Sequence, residues 1–219
     1  MNTASGFADR MRASFPAGVT VPAALDRFFD WQQAAGLARS FRSGGDYAGI
    51  DTASELGCMY SQCVDPGYAE AWLPDAPQEV RDRLAPFFRT GGDGSTAALW
   101  RDDDGAQHIV HLGSGSGSTM LGVLASDPVD FLRLLAIGYE ELCWPENFDR
   151  APAQIDAENE YLDQPVWDRA AALRDWVQTS FGVAVPAVAA EISPAPADMG
   201  DRPGADPFLL WVRKWQGDA

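Results

Sequence analysis

The stretch from Leu84 to Leu142 constrains the fold most, because three strand signals and one helix signal follow one another in it without a gap. Thr96 to Arg101 reads as a strand running into Asp103-Asp104-Gly105, an Asp-Gly turn whose residues tolerate the φ > 0 angles of a tight hairpin. Gln107 to Leu112 is the return strand. Its alternation sends Ile109 and His111 to one face and His108, Val110 and Leu112 to the other. After the Gly-Ser repeats of Gly113 to Ser118, which read as a flexible hairpin loop, Met120 to Leu124 supplies a third strand. Asp127-Pro128 then opens a helix with a capping acceptor and a proline in its first turn. Phe131, Leu134, Leu135, Gly138 and Leu142 fall at spacings of 3, 4, 7 and 11 from the first, so one helical face is apolar and can cover the sheet. A meander covered by a helix is an α+β arrangement.

The flanking segments extend this unit. Met1 to Gly18 reads as a tail or a short docking helix around Phe7 to Phe15. Pro22 to Leu37 is a helix with Leu25, Phe28, Phe29 and Gln32 on one face and Gly36 as its stop. Arg39 to Asp51 is polar and glycine-bearing and reads as a loop, and Thr52 to Val64 as irregular or one helical turn. Asp75-Ala76-Pro77 opens a short helix in which Val80, Leu84 and Phe87 or Phe88 share a face, ended near Pro86. Beyond Leu142, Asp156, Glu158, Glu160 and Asp163 mark a solvated connector or surface helix. Pro165 to Phe181 repeats apolar residues at helical spacing and meets Gly182 as its cap. After a proline-rich crossing, Asp206-Pro207 starts a last helix whose Phe208, Trp211, Val212 and Trp215 form one face, expected to fold back as a clasp.

Leu84-Ala85-Pro86-Phe87-Phe88, then Gly91-Gly-Asp-Gly-Ser-Thr-Ala-Ala-Leu-Trp100, then Ile109-Val-His-Leu-Gly-Ser114 and Asp130-Phe-Leu-Arg-Leu-Leu-Ala-Ile-Gly-Tyr139 form a series of motifs. They resemble the C-terminal half of the SUKH superfamily, which holds bacterial immunity proteins against polymorphic toxins and fungal cell-wall regulators of the Smi/Knr type. Val21-Pro22, the helix around Leu25 to Trp31 and the glycine near its end match the N-terminal part. The resemblance spans about Val21 to Leu142 and rests on packing and turn motifs. It implies a single SUKH-like domain over 21–145, preceded by the tail or docking helix of 1–20 and followed by a helical extension, 146–219, docked upon it.

Charge bears on partners. Asp and Glu outnumber Lys and Arg by 32 to 16, a net −16, which disfavours nucleic acid and anionic membrane surfaces. Solubility alone is one use of such a surface. Attraction of a cationic protein is another, since complementary charge raises association rates by roughly 10 to 1,000-fold. The candidate partner-binding carboxylates are Asp102, Asp103 and Asp104 at the hairpin tip and Glu140 and Glu141 at the end of the covering helix, where negative charge opposes the helix dipole. Three cysteines, an odd number, and no charged leader before an apolar run suit a reducing cytoplasm, and no apolar window is long enough to span a bilayer.

Catalytic signatures are weak. Cys58 and Cys63 form a C-x4-C pair that would need Cys143, His108 or His111 to complete a zinc site. His108 and His111 point to opposite sheet faces and read as structural imidazoles. Gly113-Ser-Gly-Ser-Gly-Ser lacks the lysine of a P-loop and enters a strand. No catalytic residue, cofactor or metal is therefore expected. The resemblance implies a non-enzymatic immunity protein that occludes a cationic, nuclease-type toxin domain. The alternatives are a Smi/Knr-type adaptor for an endogenous protein, or a small-ligand or enzymatic pocket between sheet and C-terminal clasp.

Overall fold

The computed structural model describes residues 6–51, 57–158, 169–201, 204 and 206–216. The expectations placed on Thr52 to Leu56, Glu160, Asp163 and Val166 lie outside the described residues. Seven strands among the described residues form one antiparallel sheet in sequential order: β1 (Ala38–Ser40), β2 (Asp46–Gly49), β3 (Tyr60–Gln62), β4 (Leu84–Arg89), β5 (Thr96–Arg101), β6 (Gln107–Leu112) and β7 (Leu121–Ala125). The fold is α+β, a meander packed by helices.

The inner face carries the larger core. Helix α1 (Phe7–Ser14), α2 (Ala23–Ala34), α5 (Pro128–Ile137) and α7 (Ala171–Phe181) bring Phe7, Met11, Phe28, Phe29, Phe131, Leu134 and Leu173 against Phe87, Phe88, Leu99 and Ile109. α5 forms where Asp127 accepts the Val129 N–H at its start and Pro128 fills the first turn. It stops at Ile137, because Gly138 takes the left-handed conformation at φ 102°. Glu140 and Glu141 therefore lie in the loop beyond the helix, and its last carbonyls are met by a cation: Arg174 donates to Ala136 O and Ile137 O at 3.1 and 3.2 Å.

Helix α8 (Pro207–Gln216) covers part of the outer face, with Phe208, Trp211 and Val212 buried against Trp100, Val110, Leu112 and Leu121. Leu73 of the segment after α3 (Pro66–Trp72) and Val80 of α4 (Gln78–Arg81) join the same cluster. The expected clasp is thus present. Asp206 caps α8 by accepting the N–H groups of Phe208 and Leu209, both at 2.9 Å, and its other oxygen accepts Val123 N–H at 2.8 Å from the edge strand. Leu121 N–H donates to Ala197 O and Met199 N–H to Thr119 O, so Ala197, Met199 and Asp206 together seal the free edge of β7. Gly122 permits this approach, since a Cβ there would sit 2.7 Å from Asp206 Oδ2.

Four expectations are corrected. Leu84 to Phe88 is a strand, not the end of a helix, and α4 is only Gln78–Arg81. A bulge between Pro86 and Phe88 turns both Phe87 and Phe88 into the inner core, which conceals the period of two. Arg39 to Asp51 is not a loop but the β1–β2 hairpin, and part of Thr52 to Val64 is β3. The Gly-Ser loop is not loose: Asp93 accepts hydrogen bonds from Ser114 Oγ and Ser118 N–H, joining it to the glycine-rich β4–β5 turn.

Candidate functional site

The hairpin carboxylates have divided duties. Asp102 accepts the N–H groups of Asp104 and Ala106 at 3.0 and 2.8 Å and faces His108 Nε2 at 3.1 Å. Desolvation opposes its ionisation, but these bonds prevail and hold the carboxyl below its ordinary range. Asp102 is thus a turn staple. Asp103 pairs with Arg83 at 2.8 Å and Lys214 at 3.9 Å, whereas the Asp104 side chain is exposed.

Glu140 and Glu141 also part company. Glu141 accepts the Gly92 N–H at 2.7 Å and the Trp144 indole N–H, tying its loop to the β4–β5 turn. Glu140 is exposed and lies 3.6 Å from Arg169. The two carboxylate groups do not form one surface. The β5–β6 turn carries Asp102 to Asp104, while Glu141 contacts the β4–β5 turn at the opposite end of β5. A six-residue strand separates those ends by roughly 17 Å.

The histidines and cysteines also stay apart. His111 is buried between Thr90 Oγ1 and Met120 O, at 2.9 and 3.0 Å, and burial pulls its pKa down to about 4, so it is a neutral structural imidazole near pH 7. His108 packs on Trp100 beside the hairpin. Cys58 lies near Glu141, and burial followed by that carboxylate pushes its thiol up to about 11, which leaves it protonated and a poor nucleophile. Burial first, then Glu141 and Asp93, raises Cys143 as well. Cys63 is raised by burial and sits beside Ser14, so the C-x4-C pair has two different environments. Among the described residues no group of three or more His, Cys, Asp or Glu side chains is arranged to hold a metal ion.

The best-formed concavity involves residues that motif and charge do not single out. A cleft of about 210 Å³ opens where β2 and β3 end, lined by Leu37, Arg39, Tyr47, Gly49, Ile50, Met59 and Tyr60, with Asp51, Cys58, Tyr139, Glu140 and Arg169 around its rim. Arg39 lies opposite Tyr47, and Gly49 opposite Tyr60, so these four share a sheet face. Phe41 stacks near Tyr47 with ring centroids 4.3 Å apart, and Tyr60 lies edge-on to both. Tyr139 is fixed from behind, its hydroxyl donating to Arg150 O at 2.7 Å and accepting Ala189 N–H at 3.0 Å. The pocket expected between sheet and C-terminal clasp is instead packed, with Phe208 and Trp100 buried against one another. Period-two alternation through Arg39, Phe41, Tyr47 and Gly49 was the one available signal for the cleft, and the polar residues between them masked it.

Comparison with known proteins finds no matching family model, curated protein or solved structure. Function therefore rests on the chain's own chemistry. In the cleft Glu140 faces Arg169, Arg39 donates to the carbonyls of Gly36 and Ala38, and the Cys58 thiol is held protonated. What the arrangement offers is recognition: aromatic rings, a glycine floor and charges of both signs at the rim. Among the described residues no helix is long and apolar enough to cross a membrane.

Proposed function

We propose that this protein is a non-enzymatic binding module of the SUKH immunity type, which neutralises a cationic, nuclease-type toxin domain by covering it. The observation that carries the proposal is surplus exposed acid on a rigid α+β body. Net charge is −16, and exposed carboxylates such as Glu79 and Asp104 have no cation partner among the described residues. Arg83 and Lys214 offset only part of the charge at the hairpin, through Asp103. Such a surface draws in a basic partner quickly, while packed anchors hold it once docked. Inhibition needs no covalent step, since occlusion of a substrate path suffices.

Asp103 and Asp104 are the residues to alter, because Asp102 and Glu141 hold backbone in place. The test is capture from the cell of origin across a salt series, followed by growth rescue of cells expressing the captured protein. Recovery of one basic, toxic domain, with protection by this chain, supports the proposal. Asp103→Asn/Asp104→Asn should then slow association several-fold and flatten its salt dependence. Capture of ordinary cellular proteins without protection would replace this proposal with the adaptor reading.

A further inference from the structure

One register line crosses the outer face of the sheet from β2 to β7, through Gly49, Tyr60, Arg89, Thr96, Leu112 and Leu121. At its far end Leu112 and Leu121 lie beneath α8. At its near end Tyr60 and Tyr47 are half-buried, Arg39 is exposed, and the cleft over Gly49 is open. The sheet edges differ in the same sense. Ala197 and Asp206 bond to β7, whereas among the described residues β1 takes backbone bonds from β2 and from no other segment.

The charge of this corner runs against the rest of the molecule. Arg39, Arg42 and Arg89 form no ion pair among the described residues, in a chain where acids outnumber bases two to one. Arg39 donates to the carbonyls of Gly36 and Ala38, and Arg89 Nε to Gly91 O at 2.9 Å. Several other arginines are taken up by carboxylates, Arg12 by Asp9, Asp26 and Asp30, Arg133 by Asp130, and Arg150 by Glu158, while Arg27 and Arg213 donate to carbonyls elsewhere on the surface. At the rim the carboxylates are Asp51 and Glu140, and Glu140 faces Arg169.

We propose that this open corner docks an acidic, extended segment of a partner protein. One aromatic or branched aliphatic side chain of the segment seats over Gly49 beside the Tyr47–Tyr60 ring pair, and its carboxylates meet Arg39, Arg42 and Arg89. Charge complementarity selects this occupant, because a basic segment would be repelled by three arginines that form no ion pair among the described residues. The apolar lining of Leu37, Ile50 and Met59 suits an apolar tip, and the tyrosine rings supply rigid contact area at little entropic cost. The surface differs in position and in sign from Asp103 and Asp104, the carboxylates altered to test the cationic partner, so it stands apart from that reading.

The test uses fluorescein-labelled peptides with Glu and Asp flanking a central Trp, matched peptides with Lys flanks, and acidic peptides with a central Gly, read by anisotropy on the full chain. The acidic Trp peptide should bind at least about tenfold more tightly than the Lys-flanked one, with affinity falling as salt rises. Arg39→Glu/Arg42→Glu should weaken it by about tenfold or more. Gly49→Leu should remove the preference for Trp over Gly, and it can fold, because a Cβ at Gly49 meets only Asp51 backbone, at 3.7 Å or beyond. Equal binding of acidic and basic peptides, or acidic binding untouched by all three substitutions, overturns the proposal. Concentration-dependent self-association in light scattering that Arg39→Glu/Arg42→Glu abolishes would also overturn it, by making a second copy of the chain the occupant.

Discussion

The two halves of the outer sheet face are built from the same meander, yet they meet opposite surroundings. Over β4 to β7, Trp100, Val110, Leu112 and Leu121 are buried beneath α8. Over β1 to β3, the same face presents Arg39, Phe41, Tyr47 and Tyr60 to a cleft and to solvent. The composition of each half follows its cover. Aliphatic and indole side chains lose water where a helix lies on them, whereas tyrosine and arginine keep a polar end wet and an apolar body packed. The difference separates a surface covered by a helix from one left open to solvent.

Substitution beneath the helix should show the largest effect. Phe208→Ala deletes a fully buried ring and should cost about 3–5 kcal/mol in denaturant unfolding, against roughly 1 kcal/mol or less for the half-exposed Tyr47→Ala. Equal losses would end the distinction between the halves.

Acid should loosen the fold from the inner face of the sheet, where His111 of β6 lies opposite Ala97 of β5. An unfolded histidine takes up its proton near pH 6.5, whereas His111 does so at about 4 when folded, so protons favour the unfolded chain between those values. Stability from this group is complete above about pH 6.5 and should fall by about 3 kcal/mol as pH drops to 4. His111→Gln should flatten that slope in urea titrations across the window. Asp93 extends the trend to lower pH. Desolvation works against its charge, but hydrogen bonds from Ser118 N–H, Ser95 N–H and two serine hydroxyls hold its pKa below the ordinary range. Its contribution is therefore present above about pH 4 and is lost as pH falls toward the folded value.

Asp206→Ala probes the seam where helix and sheet edge meet. Loss of the cap, together with the unpaired Val123 N–H, should cost about 1–2 kcal/mol by thermal or chemical melting. The smallest effect belongs to the open half. Arg39→Glu should change stability by less than about 0.5 kcal/mol, since its guanidinium meets only carbonyls at the surface. A larger loss would make Arg39 a structural residue and remove it from the docking surface.

The sequence made some elements legible for local reasons. Asp102 to Gly105 has the chemistry of its turn, and Gly105 adopts φ 88°. Asp127-Pro128 starts α5, Gly182 ends α7 in the left-handed conformation, and the aromatic stripe of α8 docks as its spacing requires. The strands β1, β2 and β3 were illegible because they are three, four and three residues long, too short for alternation to register among Arg, Ser, Asp and Gly. Their pairing draws on neighbours far away in sequence, including Gln32 of α2, which donates to Ala48 O and Gly49 O at 2.8 and 2.9 Å. The candidate carboxylates were chosen by charge, which does not distinguish an acid that binds partners from one that accepts backbone N–H groups. Asp102 and Glu141 do the latter, and only the tertiary contacts show it.

The double engagement of Asp206 also has a consequence for biosynthesis. All seven strands leave the ribosome before Pro207 to Gln216, so the nascent sheet exposes Trp100, Val110, Leu112 and Leu121 and an unsealed β7 until the final helix is made. At roughly 5–20 residues per second, that interval lasts seconds. During it the chain has the features that recruit holding chaperones: apolar side chains without a cover and a strand edge without a partner. Closure of the last helix removes both at once.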